Sequence, residues 1–64
     1  MIWVLIHSQS TGIDLFEGLA SAAPDVGEVF CNDGGVYNVI KRRWSTYESG
    51  IETYLSVSVT VEHA

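Results

Sequence analysis

The clearest pattern in the chain lies in Ile51–Glu62, which reads Ile-Glu-Thr-Tyr-Leu-Ser-Val-Ser-Val-Thr-Val-Glu. Ile51, Leu55, Val57, Val59 and Val61 fall on one side, and Glu52, Tyr54, Ser56, Ser58, Thr60 and Glu62 on the other. Side chains alternate faces along a strand, so this stretch predicts a long β-strand with one buried and one wetter face. At the other end of the chain, Met1–His7 is apolar on both sides, with Ile2, Val4 and Ile6 opposing Trp3 and Leu5. That predicts a strand covered on both faces.

Between these ends the period changes. Ile13, Leu15, Phe16, Leu19, Ala20, Ala22 and Ala23 share one half of a helical projection, and Asp14, Glu17, Gly18 and Ser21 the other. This is the pattern of an amphipathic helix with Phe16 and Leu19 at the centre of its buried side. Thr11 with Asp14 supplies a start, and Pro24 a stop. Glu28–Cys31 predicts a short strand. Asn32-Asp33-Gly34-Gly35 predicts a tight hairpin turn, because these residues accept positive φ. Val36–Trp44 predicts a further strand, and the polar run Ser45–Gly50 a loop.

The expected order is therefore β-α-β-β-β. It describes an α+β fold: a single four-stranded, mostly antiparallel sheet with one helix packed on one face, in one small domain spanning residues 1–64. With Ser45–Gly50 as the loop, Trp44 pairs with Ile51, Ile40 with Leu55 and Val36 with Val59. An Asp33-Gly34 turn sets Cys31 against Val36 and Phe30 against Tyr37. The helix then covers Val29, Cys31, Val36, Ile40, Trp44, Ile51, Leu55, Val57, Val59 and Val61. The opposite face carries Phe30, Tyr37, Val39, Lys41, Arg43 and Tyr54 with nothing over it. An uncovered apolar patch of that kind marks an interface.

Composition sharpens this expectation. A domain of this size buries only about 60% of its unfolded surface and usually needs a disulfide, a metal or oligomerisation. Cys31 is the only cysteine, and His7 and His63 are far apart, so oligomerisation is the option the 47% apolar content favours. No metal or other cofactor is expected. The apolar run Ile2–Ile6 is too short for a leader or a membrane helix, which points to a cytoplasmic protein.

Eight acidic against three basic residues give a net charge of −5, and the basic residues are consecutive: Lys41, Arg42 and Arg43. Such a chain repels nucleic acid at long range and is steered toward basic protein surfaces. Asp14 and Glu17 on the expected helix, with Asp25 and Glu28 after it, form a candidate acidic stripe for docking on a basic nucleic-acid-binding protein. Lys41-Arg42-Arg43-Trp44 beside Phe30, Tyr37 and Tyr54 carries the alternative, a platform for stacking single-stranded bases. His7, Ser8, Cys31 and Asp33 have no catalytic spacing, and no enzyme activity is expected.

The leading expectation is a non-catalytic protein-interaction module acting as a homo-oligomer, a dimer through the uncovered face. A small, acidic, motif-free chain fits a phage or mobile-element accessory protein that binds and inhibits a host or defence protein. A structural subunit of a larger assembly is the third reading.

Overall fold

The computed structural model describes all 64 residues and contains strands and turns but no helix. Five strands form one curled mixed sheet: β1 (Ile2–Ser8), β2 (Asp14–Ala20), β3 (Val29–Asn32), β4 (Gly35–Ser49) and β5 (Glu52–His63). Their spatial order is β2-β1-β5-β4-β3. All neighbours are antiparallel except β1 and β5, which run parallel.

The expected α+β fold is thus corrected to an all-sheet one, and the correction centres on β2. The stretch expected to be helical turns back at Gly12, whose φ of +74° suits glycine, and lies against β1. The amide of Gly12 donates to the Ser8 carbonyl and that of Ser8 to the Ile13 carbonyl, closing the hairpin. The Thr11 hydroxyl does receive a backbone amide, but it is that of Ile13 in this turn, 3.3 Å away. Two forces favour the strand. Apolar on both sides, β1 is stable only in the middle of a sheet, where both of its backbone edges need partners. The alternative helix would have to outweigh an interior Gly18 and an unfavourable nucleus over few turns.

Without a helix, the sheet covers its own inner face by curling. Val4 and Ile6 of β1, Val39 of β4, and Val57, Val59 and Val61 of β5 are all at most 2% exposed. Ile2, Leu15, Ala20, Ala23, Phe30 and Tyr37 pack around them. The curl brings the two outermost strands together: the Asn32 side-chain amide on β3 donates to the Leu15 carbonyl on β2 at 3.2 Å. The segment Ser21–Glu28 links these strands, and Arg42 of β4 holds it. The Arg42 guanidinium donates to the Pro24 carbonyl at 3.1 Å and lies 3.6 Å from the Asp25 carboxylate.

Two irregularities set the faces. At β1–β2 the register shifts between Ile6 and His7, and at β4–β5 between Val39 and Lys41, leaving Ile40 as an extra residue. A bulge of this kind bends the strand and increases its twist. Up to Val39, the odd-numbered residues of β4 face the core; beyond the bulge, Arg42, Trp44 and Thr46 do, opposite Val59, Val57 and Leu55.

The expected turn at Asp33-Gly34 is present, with φ of +50° and +80°, and Phe30 pairs with Tyr37 and Cys31 with Val36 as read from the sequence. The expected β4–β5 register is not. Ser45–Ser49 continues the strand, and the turn is only Gly50-Ile51, so Trp44 pairs with Val57 rather than Ile51, and Tyr37 with His63. Gly50, at φ +62°, fits a two-residue hairpin with glycine at its first position.

Candidate functional site

The bulge and the longer hairpin redistribute the residues expected to form one uncovered face. Val39 is buried, and Phe30 and Tyr37 pack against the core from the same inner side. Lys41, Arg43 and Tyr54 lie on the outer side, paired with Thr60, Ser58 and Tyr47. The proposed set is therefore split between the two sides of the sheet. Residues expected beneath a helix emerge instead: Val29, Val36, Trp44, Ile51 and Leu55 are exposed, and so is Cys31.

The acidic residues divide similarly. Asp14 and Glu17 pair with His7 and Leu5 on the outer face of β2, and the Asp14 carboxylate lies 3.1 Å from His7 Nδ1. Asp25 and Glu28 belong to the segment held by Arg42, and the Glu28 carboxylate accepts the Asp25 amide. They do not share a helix face with Asp14 and Glu17.

What stands out is the far half of the β4–β5 hairpin. β1 pairs with β5 only from Ser56 onward, and β3 with β4 only as far as Asn38. The hairpin therefore projects beyond the rest of the sheet, and a strand of β5's length accounts for the molecule's 39 Å long axis against 19 and 17 Å across.

Both sides of the projection carry large apolar groups. On the inner side, Trp44 is 47% exposed, Leu55 57%, and Ile51 at the tip fully exposed. The Arg42 guanidinium lies over the Trp44 ring, 5.1 Å from its centroid. This cation–π contact restrains the indole, while the same guanidinium holds the Ser21–Glu28 segment through Pro24 and Asp25. On the outer side, Trp3 reaches from β1 across the small Ser56 to stack on Tyr47, with ring centroids 4.6 Å apart. Tyr47 in turn lies 6.4 Å from Tyr54, its cross-strand partner. The Tyr54 hydroxyl donates to the Glu52 carboxylate at 2.6 Å. That hydrogen bond, reinforced by the carboxylate's charge, raises the phenol above its usual titration range.

Sequence reasoning placed Tyr54 in this region and missed Tyr47. A signal was available: Tyr47 and Tyr54 are equidistant from Gly50-Ile51, so a two-residue turn there makes them a cross-strand pair.

No pocket opens on the surface, so the exposed side chains and unpaired backbone of the hairpin form the candidate site. The chain has no helix, and so none long and apolar enough to cross a membrane. No family model, curated protein or solved structure matches the chain.

Proposed function

We propose that this protein is a non-catalytic interaction module that works in the cytoplasm as a homo-oligomer and binds its protein partner through the projecting hairpin. The observation that carries the reading is the mismatch between core and surface. Six hydrophobic residues are fully buried, while eleven large ones remain exposed, three of them (Trp44, Leu55, Ile51) spread along the projecting hairpin to its tip. Rigid aromatics that already have their orientation fixed lose little freedom on binding, which is why Trp and Tyr dominate the energetic centres of interfaces. The partner's contact surface is basic, matching the net charge of −5. In its narrower form the proposal makes that partner a host or defence protein that this chain inhibits.

The test is affinity capture from lysate of the native host, with and without nuclease treatment, with wild type and Trp44→Ser/Leu55→Ser side by side. Both positions are exposed, so the variant keeps its fold, which circular dichroism checks. One stoichiometric protein, captured by wild type and lost with the variant, is the expected result. Equal capture by both chains contradicts the hairpin's role. Capture that disappears on nuclease treatment and falls steeply with salt would replace this reading with single-stranded nucleic-acid binding, for which Lys41 and Arg43 beside Tyr47 and Tyr54 on the outer face are the available groups.

A further inference from the structure

The projecting hairpin has a second property besides its side chains: an open backbone edge. β4 pairs with β5 along its length, but on its other side it meets β3 only at Gly35–Asn38, and Gly27 and Glu28 at Val39. From Ile40 to Ser49 that second edge has no backbone partner. Backbone groups alternate between the two edges of an antiparallel strand. Ser49 closes the two-residue turn with Glu52, so the amides and carbonyls of Arg42, Trp44, Thr46 and Glu48 point away from β5. Proteins usually guard such an edge with charge, proline or a bulge. Here the bulge and the run Lys41-Arg42-Arg43 guard only its beginning, and Trp44–Tyr47 carries neither charge nor proline.

We propose that two copies of this chain pair antiparallel along this edge, about a two-fold axis at Ser45, forming one continuous sheet. The charge pattern selects both the occupant and the register. With the axis at Ser45, Arg42 of each copy stands opposite Glu48 of the other and Trp44 opposite Thr46. All four point their backbone groups outward, and residues opposite each other share a face. On the outer side, Arg43 meets the ring of the other copy's Tyr47. Moving the axis to Trp44 or Thr46 sets Arg42 opposite Thr46 or Gly50 and loses both ion pairs. Arg42 keeps donors for this contact, because a guanidinium has five N–H groups and the Pro24 carbonyl and the Asp25 carboxylate both engage the same nitrogen, Nη1. The inference rests on the homo-oligomer part of the proposed function and adds the surface and register that produce it.

The experiment is disulfide trapping in a Cys31→Ser background, with sedimentation of the wild-type chain alongside. At the axis, the two copies of residue 45 form a non-hydrogen-bonded pair with Cα atoms about 4.5 Å apart, within disulfide range. Ser45→Cys is therefore trapped as a covalent dimer under mild oxidation. Ser49→Cys, whose two copies lie about 27 Å apart, is not cross-linked. Thr46→Pro removes an outward amide without touching the β4–β5 ladder and lowers the dimer fraction. Thr53→Pro, the matching change on the hairpin's opposite edge, leaves it unchanged. If wild type sediments as a dimer but Ser45→Cys is trapped no better than Ser49→Cys, the edge pairing is wrong and the homo-oligomer reading survives. If wild type is a monomer at every concentration tested, both are overturned.

Discussion

Val57→Asp unfolds the chain, whereas Leu55→Asp leaves it folded, although the two residues lie on the same side of the same strand. Val57 is wholly buried, between Val4 on β1 and Trp44 on β4. A carboxylate there loses its hydration, a penalty of several kcal/mol even after relaxation. The single core of a domain this small rarely supplies more than about 3–5 kcal/mol of stability, so the substitution removes essentially all of it. Leu55 is 57% exposed on the projecting hairpin, and a substitution there changes stability by only about 0.5 kcal/mol. Far-UV circular dichroism with urea titration separates the two outcomes. Unfolding by both variants would place the hairpin's far half inside the folded core.

The second large effect is at Ile6. It is 2% exposed in the interior strand β1, and Ile6→Ala costs about 2–5 kcal/mol through lost burial and the cavity left behind. Leu19→Ala is the informative companion. In a helix covering the sheet, Leu19 would sit at the centre of the buried side and cost as much. On the edge strand β2 it is 43% exposed opposite Trp3, and its truncation costs about 1 kcal/mol or less. Urea denaturation of both variants gives the comparison, and equal losses would favour the helix.

These contrasts follow the line between what the residues reveal and what they conceal. Val57, Val59 and Val61 declare their face because each alternates with a hydroxyl residue, and all three are fully buried. The Asp33-Gly34 turn was legible because few other residues accept two successive positive φ values, and it fixes the short β3–β4 register. β2 was not legible. On its inner face, Phe16, Gly18 and Ala20 oppose Ile6, Val4 and Ile2, and two of the three are too small to register as an apolar alternation. The same residues satisfy a helical period, and the competing demand of β1 for a second strand neighbour is invisible in a local window.

The proposed interaction surface was hidden for related reasons. Ser45-Thr46-Tyr47-Glu48-Ser49 looks like a loop because it is polar, yet a strand solvated on both faces needs no apolar alternation. Reading it as a loop displaced the whole β4–β5 register. The extra residue at Ile40 then exchanged the faces of half of β4, as a one-residue slip does. That exchange sends Phe30, Tyr37 and Val39 inward and leaves Lys41, Arg43 and Tyr54 outside.

On the proposed reading the hairpin has two halves, one that holds the fold and one that makes contacts. Amide hydrogen exchange, resolved residue by residue by NMR, tests it most directly. In dilute solution, Val57–Val61, flanked by β1 and β4, should exchange only through global opening. Glu52–Leu55, in a two-stranded projection that is marginal by itself, should exchange much faster. The amides of Trp44 and Thr46 should exchange freely there and gain protection as the protein is concentrated. Slow exchange running evenly through Glu52–Leu55 in dilute solution, with Trp44 and Thr46 indifferent to concentration, would mean that the hairpin is not divided in this way.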